Sequence, residues 1–460
     1  MKISRREVEE LTVTAGPGDL RSAKRRRWWV ERLQRADRGH VNAFYTPSDD
    51  PRAQIRGKGL HLWQFGHPPT VPSGAMKVVI AHNRYSSAQP SGENTIVDQE
   101  IVQLRAVGVD VLPFLRSSDE IRTLPVAQKA LLPLSPLYAG RAQHELRTLL
   151  RAERADLLHL HNPYPLLSPW VVRTAHACGV PVVQTVHNYR QVCANGVFFR
   201  DGHICTDCVG RAFPTPAIVH SCYRGSKAQS AVMATTLAAH RATWRSVDRY
   251  IALTDAIASH LRDFGIPDDR IVVKPNSVPD PGPPDPVGDG FLLLGRLAPE
   301  KGVGLLLEAW QRHPVGSLPP LRIVGDGPSR PQVEAAAAAR SDIVFLGQLD
   351  RTGVRAALRD SSVLLTPSLW QDVLPTVILE ALAAGRPVLG TALGGIPYLV
   401  GSAGWIVEPS VDALAAALPR CRAEAPALAG PARDRYLATF HPDVVLDQLL
   451  AIYRSTTRSR

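Results

Sequence analysis

The feature that most restricts the fold is a rhythm repeated on both sides of a proline-rich break. Short apolar runs alternate with longer stretches of helical period, first from Met76 to about Pro275 and again from Phe291 onward. The first series holds VVIAH (Val78 to His82), VDVLPF, DLLHLH (Asp156–His161), VPVVQTVH (Val180–His187), RYIALT (Arg249–Thr254) and RIVVKP (Arg270–Pro275). The second holds FLLLG, LRIVGDGP, IVFLG, SVLLTPS and PVLGT. Runs apolar on both faces suit strands covered on both sides, as in parallel sheets. The stretches between them, such as Ile96–Val107 with Ile96, Val97, Ile101, Leu104 and Val107 on one side, supply crossover helices. The break itself, VPDPGPPDPVGDG from Val278 to Gly290, stops regular structure and stiffens the connection. The expected fold is therefore α/β, with two Rossmann-like doubly wound domains facing across a cleft, and that cleft is the default active site.

The expected boundaries are a basic, poorly ordered extension at 1–75, a first domain at 76–278 with a Cys-rich insertion, and a linker at 279–290. A second domain follows at 291–440, then a C-terminal helix and tail at 441–460. Within the second domain, a helix from about Val411 to Leu418 is expected to stop at Pro419, and an amphipathic stretch follows at Val444 to Tyr453.

Charge is unevenly spread. The chain carries 53 Lys/Arg against 42 Asp/Glu, a net +11, and residues 1–75 alone hold 14 Lys/Arg against 8 Asp/Glu. KRRRWWVERLQR (Lys24 to Arg35) reads either as part of a poorly ordered extension or as a short basic helix for a membrane surface. No apolar run reaches the length of a membrane span, about 18 residues. No apolar leader with a cleavage site opens the chain, and six cysteines in 460 residues are not a disulfide scaffold. A cytoplasmic protein is expected, with a basic surface compatible with peripheral contact at an anionic inner membrane face. No nucleic-acid recognition motif is present, and no GxGxxG follows either first strand, which disfavours nucleic acid and a nicotinamide dinucleotide as partners.

Three motifs in the second series carry chemistry. In GRLAPEKGV (Gly295–Val303), Gly295 allows a tight turn after the first strand, and Arg296 and Lys301 place two cations at the strand's C-terminal end, suited to a diphosphate. GDGP, with Gly325, is a second tight turn after a strand. In PSLWQDVLPTVILEALAAGRPVLGT (Pro367 to Thr391), a strand end leads through a loop to a helix entered at Pro375 and stopped at Gly385. Its N-terminus, with the backbone of Val373 and Leu374 before it, forms an anion site. Asp372 and Glu380 frame the helix start; acceptor-only oxygens there suit sugar or ribose hydroxyls, while the plainer reading is a cap and a solvated surface glutamate.

The three motifs, in this order and spacing, resemble the C-terminal domain of family-4 retaining glycosyltransferases, and the resemblance spans about residues 76–455. It implies the GT-B fold and transfer of a sugar from a nucleoside-diphosphate sugar to a hydroxyl of a glycan or lipid-linked acceptor, in cell-envelope or exopolysaccharide synthesis. It implies that Arg296 and Lys301 bind the diphosphate, that Glu380 binds the ribose, and that Asp372 contacts donor-sugar hydroxyls. Asp372 stands where the family pattern has Glu. PSGEN (Pro90–Asn94), with Gly92, resembles the family's glycine-containing loop, and His187 matches a histidine that faces the reacting sugar. Catalysis is expected from His187, Arg296, Lys301 and Asp372, with no cofactor required, because the cations take the place of Mg²⁺. His159 and His161 share one strand face and are read either as acceptor contacts or as structural residues. A nucleotide-sugar epimerase of the same fold, or a nucleotide-binding scaffold that has lost catalysis, are the competing functions.

Cys193, Cys205, Cys208 and Cys222 follow His187 with spacing C-x11-C-x2-C-x13-C. The stretch is similar to one found in a bacterial subset of the same family. Four thiols with one CxxC suit a structural Zn²⁺; reduced unligated cysteines are the other reading.

Overall fold

The computed structural model describes residues 76–87, 91–126, 129 and 132–458. The basic extension and its Trp-containing segment lie outside the described residues. The first domain opens with β1 (Lys77–Arg84), α1 (Gly92–Ala106), β2 (Asp110–Ser117), α2 (Gly140–Glu153), β3 (Leu157–Leu160), α3 (Trp170–Ala177) and β4 (Val182–Val186). A long excursion follows, holding a two-residue-per-strand hairpin, β5 (Phe199–Arg200) and β6 (His203–Ile204), and a short helix α4 (Thr215–Val219). The domain continues with α5 (Lys227–Ala239), β7 (Arg249–Ala252), α6 (Asp255–Asp263) and β8 (Ile271–Val273). Its six strands are all parallel, in the order β2-β1-β3-β4-β7-β8.

The second domain comprises β9 (Phe291–Leu294), α7 (Val303–Gln311), β10 (Leu321–Val324), α8 (Arg330–Ala339), β11 (Ile343–Gly347) and α9 (Arg351–Arg359). It continues with β12 (Val363–Thr366), α10 (Thr376–Ala383), β13 (Val388–Thr391), α11 (Ile396–Val400) and β14 (Gly404–Val407). Its sheet is parallel, in the order β11-β10-β9-β12-β13-β14. Strand order reverses direction beside β1 in the first sheet and beside β9 in the second. Loops that leave adjacent strands on opposite faces open a crevice at such points, and ligands of doubly wound folds bind there. The topology thus singles out the loops after β1 and β3, and those after β9 and β12.

Two features depart from the sequence reading. The helix expected to stop at Pro419 runs on as α12 (Val411–Arg435), with Pro419, Pro426 and Pro431 inside it. Each proline forfeits one backbone bond. Leu414, Leu418, Cys421 and Ala425 are nevertheless buried against Phe291, Trp310 and Trp405 of the second domain's core, so packing overrides the local break. After a π turn at Tyr436–Phe440, α13 (Pro442–Arg458) leaves the second domain and returns to the first. There Leu449, Leu450, Ile452 and Tyr453 join Val78, Ile80, Val97, Ile101 and Leu104 in one buried cluster.

The proline-rich connection is held in place. Arg386, 1% exposed, donates to the carbonyls of Asp285 and Pro286 on one side and of Leu358 and Arg359 on the other. Tyr436 donates its hydroxyl hydrogen to Val278 O at 2.8 Å, and Arg433 pairs with Asp280.

Candidate active site

In the second domain, the loops after β9, β10 and β12 are packed backbone to backbone. A Cβ at Gly325 would lie 1.8 Å from Gly295 O, and one at Gly302 would lie 1.7 Å from Pro367 O, so only glycine fits at either place. This contact brings Lys301 to the loop that precedes α10. Lys301 Nζ lies 2.5 Å from Asp372 Oδ2 and 5.3 Å from the centre of the Trp370 ring. Asp372 is 5% exposed, with Ser368 Oγ its other neighbour at 3.5 Å. Arg296 pairs with Glu300 one turn along and remains largely exposed.

Val373 and Leu374 bury their side chains, and the Val373 carbonyl accepts from Thr254 Oγ1 of the first domain at 3.4 Å. Helix α10 begins without a side-chain cap; Ile378 N donates to Pro375 O at 3.0 Å, and the N–H groups ahead of it have no partner within the helix. Glu380 sits inside α10, half-buried; burial raises its carboxyl to about 7, with Arg351 pulling the other way. It is not a solvated surface glutamate.

The first domain presents a second uncapped helix start opposite. Gly92 opens α1 rather than lying in a loop, and a Cβ there would meet Thr376 Oγ1 at 3.8 Å, an ordinary contact. The helix starts of α1 and α10 therefore face each other across the domain junction. Glu93 stands beside Gly92, with its Oε2 accepting from Tyr85 at 3.3 Å and its buried Oε1 without a hydrogen bond, 3.7 Å from His82 Nδ1. Burial raises its carboxyl to about 7, against the pull of Arg190. Glu93 was missed as a functional candidate because a glutamate in a helix first turn ordinarily signals only a favourable dipole contact.

His187 follows β4 and is half-buried; burial, then the neighbouring His161 and His82, holds it well below the usual imidazole range, so it is neutral. His187 Nε2 lies 2.9 Å from His161 Nδ1, and the rings stack at 5.2 Å between centres. His161 Nε2 lies 3.3 Å from Glu100 Oε1. His159 Nδ1 touches both Tyr453 OH, at 2.7 Å, and Glu100 Oε1, at 3.0 Å. Lys274 Nζ lies 4.0 Å from Glu100 Oε2. Burial alone would raise the Glu100 carboxyl, but the two histidines hold it well below the usual carboxylate range. His159 is driven down to about 4, chiefly by burial, and is neutral. The cluster is thus an ionised Glu100 balanced by Lys274 and flanked by two imidazoles, with Glu100 Oε1 and His161 Nε2 both left without a hydrogen bond. His159 and His161 are 0% and 3% exposed, which favours the structural one of their two readings: both stand behind His187.

Two groups offer metal-ligating atoms. Among the described residues, Glu100, His159 and His161 have ligand atoms within 4.8 Å of one another, but the adjacent Lys274 cation opposes a second positive charge there. The four cysteines line one small cavity of about 20 Å³. A larger open pocket is lined by Tyr189, Gln191, Phe198 and Cys208 of the excursion, by His260 of α6, and by Gln371, the neighbour of Asp372. Geometrically, then, the site combines an uncapped helix start with Lys301 near the loop before it in the second domain, a neutral histidine in the first, and an open pocket reaching from Gln371 into the first domain.

Comparison with known proteins bears on the family and the fold. The family model described as "Glycosyl transferase 4-like domain" matches residues 91–277, and that described as "Glycosyl transferases group 1" matches residues 288–423. Over 419 residues the chain is 26% identical to a phosphatidyl-myo-inositol mannosyltransferase of Mycobacterium leprae, covering 82% of this chain and 96% of that protein. Over 394 residues it is 29% identical to a GDP-mannose-dependent alpha-mannosyltransferase of Mycolicibacterium smegmatis, covering 80% and 95%. The fold matches a sucrose-phosphate synthase from Thermosynechococcus elongatus with TM-score 0.61 at 19% identity, over 84% of this chain and all of that one. It also matches Anabaena HepE in complex with UDP, with TM-score 0.54 at 16% identity, over 83% of this chain and all of that one.

Proposed function

Because the chain is a glycosyltransferase of the group 1, family-4 type with the GT-B fold, we propose that it moves a sugar from a nucleoside-diphosphate sugar to a hydroxyl of a glycan or lipid-linked acceptor, with retention at the anomeric carbon. The observation that carries the reading is the uncapped start of α10 with Lys301 beside it, facing the uncapped start of α1. Fixed N–H dipoles and a cation at one point favour the charge that develops on a departing diphosphate.

In this reading the diphosphate lies at the α10 start, Arg296 exchanges Glu300 for a phosphate oxygen, and Glu380 accepts from the ribose hydroxyls. Asp372, fixed by Lys301, accepts from hydroxyls of the donor sugar. The bond from the anomeric carbon to the phosphate oxygen breaks, and the acceptor oxygen bonds to that carbon on the same face. The acceptor's proton passes to the departing phosphate oxygen. His187, neutral and with Nε2 engaged by His161, keeps Nδ1 for the sugar. The chain's work is orientation and charge stabilisation. Relatives named for mannosyl transfer and for colanic acid biosynthesis support a role in cell-envelope or exopolysaccharide synthesis. Among the described residues no helix is long and apolar enough to cross a membrane. Contact with an anionic inner membrane face belongs to the same proposal and is tested by vesicle sedimentation.

The direct test is a thermal-shift panel with UDP-, GDP-, ADP- and TDP-sugars and the free diphosphates, without added metal, followed by product analysis with the donor that binds. A rise in melting temperature with one nucleotide class is expected. No shift with any of them would remove the donor pocket and the reading with it.

A further inference from the structure

The excursion between β4 and α5, residues 187–226, is poor in the means to hold itself together. Its regular structure is a hairpin of two-residue strands and a five-residue helix. Segments of this size with so little core are usually fixed by disulfides or a metal. Four of the chain's six cysteines fall in it, and all four line the same small cavity although they come from three separate stretches.

The local backbone around them repeats. Cys193-Ala194-Asn195-Gly196, Cys205-Thr206-Asp207-Cys208 with Gly210 following, and Cys222-Tyr223-Arg224-Gly225 each place a cysteine at the mouth of a turn that ends in a left-handed glycine. The φ angles are +81° at Gly196, +75° at Gly210 and +66° at Gly225. In the first turn Gly196 N donates to Cys193 O at 3.0 Å.

We propose that Cys193, Cys205, Cys208 and Cys222 form a tetrahedral thiolate site for one Zn²⁺, which staples the three stretches of the excursion to one another. Binding replaces four S–H bonds with four Zn–S bonds and releases four protons to water, with no redox partner. No three of the sulfurs lie within 4.8 Å of one another before the ion binds: Cys193 instead points its thiol at Asn195 Oδ1, 2.8 Å away. Rotation of the cysteine side chains within the shared cavity closes the set. The site is structural, since four protein ligands leave no open position. Its consequence for the proposed transfer is positional, because Tyr189, Gln191, Phe198 and Cys208, which wall the open pocket beside Gln371, belong to the stapled excursion.

The experiment uses the full chain, purified under reducing conditions, with metal content read by plasma mass spectrometry and thiols counted after denaturation. About one zinc per chain is expected, released by a mercurial thiol reagent and lost in Cys205→Ser/Cys208→Ser. Cys178→Ser/Cys421→Ser should keep the metal. If the first variant does not fold, replacement of zinc by Co²⁺ in the unaltered chain decides instead: intense thiolate-to-cobalt charge-transfer bands with tetrahedral visible bands are expected. A zinc-free chain with six reduced thiols, or intact masses that reveal a disulfide among these cysteines, overturns the proposal. Because these readouts need no donor or acceptor, they stand whether or not the transfer reaction is found.

Discussion

Replacing Lys301 by methionine separates two roles that one ammonium group performs. The Lys301 side chain is 28% exposed and that of Asp372 is 7% exposed, at 2.5 Å. Breaking a fully buried pair costs about 3–5 kcal/mol and an exposed one at most about 1 kcal/mol. With one partner buried and the other partly wet, Lys301→Met should cost about 2 kcal/mol, because Asp372 keeps only Ser368 Oγ at 3.5 Å. Adding Asp372→Asn removes the stranded charge, so the double variant should recover most of that stability, with a coupling of about 1–2 kcal/mol. Turnover should behave differently. Loss of a cation at the departing diphosphate costs on the order of 10²–10³ in kcat, and restoring neutrality at Asp372 does not replace it. Urea unfolding by tryptophan fluorescence reads the first quantity, and chromatographic release of nucleoside diphosphate reads the second. If the double variant regains turnover along with stability, or Lys301→Met keeps more than about a tenth of wild-type kcat, Lys301 merely props the loop and the assignment of the anion site is wrong.

The Glu380 carboxyl is raised in the fold from 4.5 to about 7, so it stabilises the fold fully below about pH 4.5 and loses that contribution as pH rises through about 7. The full shift equals about 3 kcal/mol, and partial exposure reduces the expected slope to about 1–2 kcal/mol; Glu380→Gln should flatten urea-derived stability over this window by that amount. Donor affinity by calorimetry should rise through the same window in the wild type and stay level in the variant. Glu100→Gln strands the buried Lys274 and should cost about 3–5 kcal/mol, largely regained in Glu100→Gln/Lys274→Met; a loss below about 1 kcal/mol would mean the cluster carries no charge pair. Tyr453→Phe removes the hydroxyl that meets His159 at 2.7 Å and should cost about 1–2 kcal/mol in the same assay.

The doubly wound pattern was legible because parallel strands buried on both faces advertise themselves as unbroken apolar runs: Val78–Ala81 and Phe291–Leu293 are all buried. The motif loops were equally legible, since Gly295, Gly302 and Gly325 stand where backbones touch. Strand β14 was overlooked; GWIV is short, begins with glycine and pairs only at the sheet edge. Pro419 misled because a proline's local cost is plain in sequence, whereas the burial of Leu414, Leu418 and Cys421 that outweighs it is not. The charged cluster behind His187 was least accessible. Glu100, His159, His161, Lys274 and Tyr453 come from α1, β3, the loop after it, the end of β8 and α13, and only the assembled sheet makes them neighbours. His159 and His161 alone gave a signal, as two polar residues in a strand otherwise apolar.

The return of α13 to the first sheet has a consequence for how the protein is made. Leu449, Leu450, Ile452 and Tyr453 belong to the core under β1, yet they are synthesised more than 360 residues after Val78. An emerging chain can complete the second domain while the first still lacks a layer and exposes Ile80, Val97 and Leu104 to solvent. The N-terminal half therefore waits for α13 to leave the ribosome. A fragment ending at the proline-rich connection should behave as an aggregation-prone intermediate rather than as an independent acceptor domain.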